Sequence, residues 1–159
     1  MQQIKPHTVK NLDLERYSGF WYELMKIPFK WENNCEGSSA YYWLDLEGQF
    51  HLKNTCYIDK NQKYDRTGIA NVPDTADSGK LIIQFTDGGP SDGPAPYWVH
   101  YTDYIHFALV GSPSGKFLWL LARDTKIHQV EVVNFSKFIK DLGYNLDDIK
   151  VMPITEIIN

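Results

Sequence analysis

The sequence predicts an all-β domain, a sandwich or a barrel, carrying one helix near its C-terminal end. Three observations carry this reading. Eight short apolar segments recur between residues 21 and 123, and turn signals rich in Gly, Pro and Asp separate them. The period of the apolar residues changes to a helical one only after Arg123.

The first strand is Trp21 to Ile27, closed by Pro28 and preceded by a short turn-like lead over residues 11–17. Ser38 to Leu46 and Phe50 to Ile58 form a hairpin turning near Glu47-Gly48. Tyr64 to Val72 and Lys80 to Phe85 follow, separated by a polar turn over residues 73–79. Gly88 to Pro96 is a Gly/Pro-rich loop with no room for regular structure. Tyr97 to Tyr101, Ile105 to Gly111 and Phe117 to Arg123 complete the eight, the last after the turn Pro113-Ser114-Gly115. Ile127, Val130, Phe135, Phe138, Ile139 and Leu142 then share one face of a helix. Asp124 or Thr125 caps its start, and Gly143 supplies the left-handed residue past its end. Ile149 to Ile154 adds a short final strand ending at Pro153.

At 159 residues the chain is expected to be one domain spanning 1–159. Hydrophobic residues make up 43% and aromatic residues 14%, a content that suits strands and apolar cavities. A formal net charge of -4 with scattered basic residues gives no footprint for nucleic acid and no polybasic membrane patch. No apolar run approaches the ~20 residues of a spanning helix, and residues 1–10 lack the apolar core of a secretory signal. Neither Cys35 nor Cys56 sits in a CxxC or has a histidine at ligand spacing, so no metal site or cofactor is expected. The two thiols are either reduced or bridged. Extending the hairpin backward brings Cys35 alongside the far end of the second strand, near Cys56. A bridge would imply an oxidising compartment. The chain has no G-x-S-x-G elbow, H-E-x-x-H or P-loop, and the reading is a non-enzyme.

Gly19-Phe20-Trp21-Tyr22-Glu23, Thr102-Asp103-Tyr104 and Arg123 resemble, in order and spacing, the three sequence signatures of the lipocalin family. Ala40-x-Tyr42-x-Leu44, Ala95-Pro96-Tyr97-Trp98, Ala108-Leu109-Val110-Gly111 and the run Leu118 to Arg123 are similar to the branch holding bacterial outer-membrane lipocalins, plant temperature-induced lipocalins and apolipoprotein D. The resemblance spans about residues 11–153. It implies an eight-stranded antiparallel up-and-down β-barrel, the helix packed outside and a short strand last. A barrel of that size has an interior filled by side chains or holding one small ligand. The resemblance also implies that Trp21 and Arg123 meet at the closed end, where Gly19, Thr102, Asp103 and Tyr104 close the barrel as structural residues. Many bacterial members carry a cysteine pair at positions like Cys35 and Cys56, which implies the bridge.

Alternation sorts the strands into faces. With Trp21 inward, Glu23 and Met25 follow it, and Tyr22 and Leu24 point out; with Arg123 inward, so are Leu121, Trp119 and Phe117. The family register puts Tyr104, His106, Ala108 and Val110 inside. Ala40, Tyr42, Leu44, Phe50, Leu52 and Asn54 form the inward set of the hairpin, and Tyr97 to Tyr101 fits either face. The expected ligand-binding residues are Met25, Tyr42, Leu44, Phe50, Leu52, His106, Ala108, Phe117, Trp119 and Leu121. Glu23, a costly carboxylate there, is expected to be protonated or bonded to a neighbouring donor, and His106 to meet a lipid head group.

The resemblance implies binding and transport or storage of small hydrophobic molecules, fatty acids or lysophospholipids, in membrane lipid maintenance. It also implies a periplasmic or secreted location, a cytoplasmic one being the alternative, with peripheral membrane association and a monomer or homodimer. No cysteine within residues 1–10 offers a lipid-anchor site. Two further readings are an interaction module docking a protein or membrane through outward apolar patches, and a small isomerase or synthase acting on a lipid.

Overall fold

A computed structural model describes residues 3–27, 35–87 and 93–159. Pro28 as the end of the first strand and residues 88–92 of the Gly/Pro-rich loop lie outside the described residues. A one-turn helix α1 (Leu14–Tyr17), capped by the Asp13 carboxylate on the Arg16 N–H, leads into the sheet. The strands are β1 (Gly19–Ile27), β2 (Gly37–Leu44), β3 (Phe50–Tyr57), β4 (Lys63–Asn71), β5 (Lys80–Phe85), β6 (Ala95–Thr102), β7 (Phe107–Gly111) and β8 (Leu118–Ala122). Each pairs antiparallel with the next, and β8 returns to β1, closing the barrel.

The segment after Arg123 differs from the expected helix start. Residues Lys126–His128 form a strand, β9, which buries Ile127; helix α2 (Gln129–Leu142) begins only after it. Neither Asp124 nor Thr125 caps α2: the Glu131 carboxylate accepts the His128 N–H at its first turn. Gly143 does end it, at φ +111°. Val130 lies on the solvent side of α2 at 64% exposure. The final strand shortens to β10 (Lys150–Val151), and a further strand, β11 (Glu156–Ile158), pairs parallel with β9.

Two apolar clusters divide the barrel wall. The inner one gathers Trp21, Tyr42, Phe50, Leu52, Val99 and Leu121 among others. The outer one lies between the sheet and α2 and includes Leu24, Met25, Leu109, Leu118, Leu120, Ile139 and Leu142. Strand β1 carries an irregularity that decides which side Met25 joins. Glu23 is opposite Leu121 and Met25 opposite Leu120, so Leu24 is an extra residue, a β-bulge. Past it alternation resumes on the other face: Met25 packs outside, correcting its expected inward position, and Lys26 turns in. Strand β1 also leaves β2 after Tyr22, and β10 pairs with Met25 and Lys26 instead.

Candidate ligand cavity

One end of the barrel is sealed. The Arg123 guanidinium lies 3.6 Å from the centre of the Trp21 ring. It donates to the carbonyls of Tyr104, Phe20, Arg16 and Ser18 at 3.0–3.1 Å. Trp21 donates its indole N–H to the Tyr17 carbonyl at 2.9 Å. Gly19, at φ +103°, passes so close that a Cβ there would stand 3.2 Å from the guanidinium. In the adjoining β6–β7 turn, one oxygen of Asp103 accepts the N–H groups of Ile105, His106 and Phe107. Thr102 accepts from the Tyr104 N–H and donates to the Phe107 carbonyl. These contacts let Tyr104 hold φ 67°.

This turn corrects the position of His106. Its side chain is 71% exposed at the closed end, with Nδ1 3.4 Å from Asp103, and it borders an outer groove beside α2 instead of the barrel cavity. The turn's three N–H groups all converge on Asp103, which fixes the segment outside the barrel rim.

Above the seal, the inner cluster leaves a partly open cavity of about 40 Å³. At the ~10–15 Å³ a water needs, that is room for roughly three water-sized bodies. Tyr42, Trp119 and Leu121, three of the expected residues, line it. Phe50, Leu52 and Ala108 are buried in the same inner cluster without forming its wall. Leu44 ends β2 at the closed end and is 36% exposed. Phe117 precedes β8, half-buried, with its ring stacked on Trp119 at 6.3 Å.

The remaining lining joins residues expected to face inward, though not in the ligand-binding set, to others whose face the sequence left unassigned. Ile83 and Phe85 of β5, and Ala95 and Tyr97 of β6, face in, as do Glu23, Ala40, Asn54 and Val110, while the exposed Pro96 borders the cavity from between its neighbours. The β5 residues were open to detection, because polar Lys80 and Gln84 mark the opposite face. In β6 a second register shift between Val99 and Tyr101 sends Tyr97 and Val99 in and Tyr101 out.

The polar groups are few and interlinked. Lys26 Nζ stands 3.4 Å from Glu23 Oε1 and donates to Ser38 Oγ at 2.9 Å, with the lysine and glutamate side chains 1% and 5% exposed. Tyr97 Oη lies 2.6 Å from that of Tyr17 and 2.8 Å from that of Tyr42. Burial, above all else, pushes all three phenols above their ordinary range. At the open end Arg66, 10% exposed, pairs with Asp87 at 3.1 Å and lies over the Phe85 ring.

Cys35 and Cys56 form a disulfide with Cα atoms 5.4 Å apart, tying the start of β2 to the end of β3. Such a bond goes with an oxidising compartment. Among the described residues, no group of three His, Cys, Asp or Glu could hold a metal ion. No helix among them is long and apolar enough to cross a membrane.

Residues 12–154 match a lipocalin-like domain family. The chain is similar to apolipoprotein D of Mus musculus, 32% identical over 97% of this chain and 82% of the relative. It is also similar to temperature-induced lipocalin-1 of Arabidopsis thaliana, 28% identical over 91% of this chain and 81% of the relative. Among solved structures, insecticyanin of the tobacco hornworm Manduca sexta shares the fold with a TM-score of 0.75 at 23% identity, covering 98% of this chain and 91% of that one.

Proposed function

The chain belongs to the lipocalin family, whose members bind small hydrophobic ligands, and on that premise we propose that its barrel binds and carries an apolar molecule. The observation supporting this is the cavity: apolar walls from Ile83, Val110, Trp119 and Leu121 with a few interlinked polar groups, sealed at one end by Arg123. Burial drives the binding, at about 0.8 kcal/mol for each CH₂ leaving water. Fatty acids and lysophospholipids are the ligand class. The end of an acyl chain enters the cavity, and the rest runs along Phe85 and the Phe117–Trp119 stack toward the open end. The protein acts as a carrier without catalysis, in an oxidising compartment such as the periplasm or outside the cell, serving membrane lipid maintenance.

Titration with a fluorescent fatty acid tests this. Saturable binding to the wild type, weakened at least tenfold by Val110→Phe, is the expected result. Binding indifferent to Val110→Phe would place the ligand elsewhere, and absence of binding would refute the carrier.

A second reading rests on the outside of β1 and β2. Phe20 pairs across the strands with Tyr41, and they are 39% and 47% exposed, while Leu46 in the following turn is fully exposed. In that reading this patch docks the protein on a membrane or on a second copy. Vesicle flotation and sedimentation of Tyr41→Ser separate it from the cargo model, because neither measures cavity binding.

A further inference from the structure

We propose that the linked hydroxyls of Tyr17, Tyr97 and Tyr42 form a polar floor that donates one O–H proton to an uncharged carbonyl oxygen at the buried end of the ligand. The inference rests on the carrier reading and goes beyond the acyl ligands proposed above: the favoured occupant is an aliphatic ketone, aldehyde or ester whose carbonyl enters first.

Counting protons carries the argument. Each phenol has one proton to donate and can accept. The triad makes two hydrogen bonds, Tyr17 with Tyr97 and Tyr97 with Tyr42. Three protons serve two bonds, so one is left over. Tyr97 sits in the middle and can donate only once, which leaves three arrangements with the surplus on Tyr17, Tyr42 or Tyr97. Tyr42 and Tyr97 line the cavity, while Tyr17 lies fully buried below it. Two of the three arrangements therefore leave the surplus proton on a residue that lines the cavity, and a buried donor gains most where it finds an acceptor.

The surroundings fix the acceptor's charge. Burial raises all three phenols above their ordinary 10, so the floor is a neutral donor near neutral pH. Glu23 lines the same cavity, and Lys26 is already engaged with Glu23 and with Ser38. A ligand carboxylate at the floor would give up its water for neutral hydroxyls, beside an ion pair whose cation is already engaged, and burying a charge on those terms is costly. A carbonyl oxygen accepts the proton without that cost. The size agrees: about 40 Å³ takes a terminal group such as an acetyl.

The test compares 2-nonanone with 1-nonene, matched in length, by displacement of the neutral fluorophore N-phenyl-1-naphthylamine. A fluorescent fatty acid is titrated in parallel. The wild type is expected to hold the ketone about fivefold tighter, within the range one net hydrogen bond supplies. Changing all three residues (Tyr17→Phe, Tyr42→Phe, Tyr97→Phe) should bring that ratio close to one, whatever the variant's absolute affinity for 1-nonene. The infrared carbonyl stretch of bound 2-nonanone should fall in the wild type relative to its value in hydrocarbon. A ratio that survives the triple substitution overturns the floor donor while leaving the carrier intact. So does fatty-acid binding with no preference for the ketone. Failure of every probe, the fatty acid included, overturns both. Should the triple variant not fold, an unshifted carbonyl stretch in the wild type overturns the proposal by itself.

Discussion

Arg123 is the residue whose removal tests the closed end most directly. Arg123→Met keeps much of the aliphatic stem and deletes the guanidinium. Two contributions are lost. The guanidinium 3.6 Å from the Trp21 ring centre is a cation–π contact worth roughly 1–2 kcal/mol when partly desolvated. Its bonds to the partly buried carbonyls of Tyr104 and Ser18, at 3.1 Å each, add about 1.5 kcal/mol apiece at the lower end for a charged donor. The carbonyls of Arg16 and Phe20 are exposed enough to regain water, so they add little. Allowing for relaxation, the loss is about 3–4 kcal/mol, and urea denaturation should show it as a lower midpoint at unchanged m. At roughly 2–4 °C per kcal/mol for a chain of this size, Tm falls by about 10 °C. A double-mutant cycle with Trp21→Leu isolates the ring contact and should return a coupling of about 1 kcal/mol. A total loss under 1 kcal/mol, or additivity within about 0.3 kcal/mol, would refute the reasoning.

Lys26→Met removes the ammonium 3.4 Å from the buried Glu23 carboxylate and should destabilise the fold, by up to about 3–5 kcal/mol, read by urea denaturation. Adding Glu23→Leu should recover more than half of that loss, since a well-packed apolar pair replaces a buried ion pair at little cost. Reducing the disulfide reopens a loop of sequence separation 21, and loop entropy sets the loss at about 3 kcal/mol. Differential scanning calorimetry with and without reductant measures it, and identical Tm values would contradict it. His100 is buried beneath His7 and Tyr144, bonding the carbonyl of one and the hydroxyl of the other at 2.7 Å. Desolvation holds its imidazole below the ordinary 6.5, although the His7 carbonyl pulls upward. The unfolded chain then takes up a proton first as pH falls, so stability drops below about pH 6.5 and continues to fall through the folded pKa. An NMR titration of His100 should therefore show a midpoint under 6.5, and a midpoint above it would reverse the predicted slope.

The legible part of this fold is where one residue pattern maps onto one geometry. Trp21, Gly19 and Arg123 could be placed together through the resemblance to the lipocalin signatures, and the structure lays the guanidinium over the indole. Val110, Trp119 and Leu121 alternate cleanly along uninterrupted strands, and the structure puts them all on the inner face. The failures have specific physical causes. Met25 and the β6 face turned on two register shifts, which leave no mark in an apolar run. The family register puts His106 inside, but its backbone N–H bonds Asp103 instead of a neighbouring strand, and the side chain stays out. The start of α2 was misread because Ile127 fits a helical apolar stripe and an edge strand equally well. Its partner β11 lies nearly thirty residues on, beyond the reach of local pattern.

The bulge at Leu24 links these local failures to the chemistry of the cavity. Under strict alternation, Glu23 would face the cavity while Lys26 pointed into the outer cluster among Ile4, Leu118 and Leu142. That places two charges in separate apolar surroundings with the barrel wall between them. One extra residue between Glu23 and Met25 brings both charges to the same side, 3.4 Å apart, and gives the outer cluster Met25 in exchange. The same shift frees β1 from β2 above Tyr22, so that Lys26 can reach Ser38 across the opened seam. A carboxylate can therefore line this cavity with its counter-charge beside it. The ligand then meets a balanced ion pair on one wall and a neutral hydroxyl floor below it, an environment that admits dipoles more readily than charges.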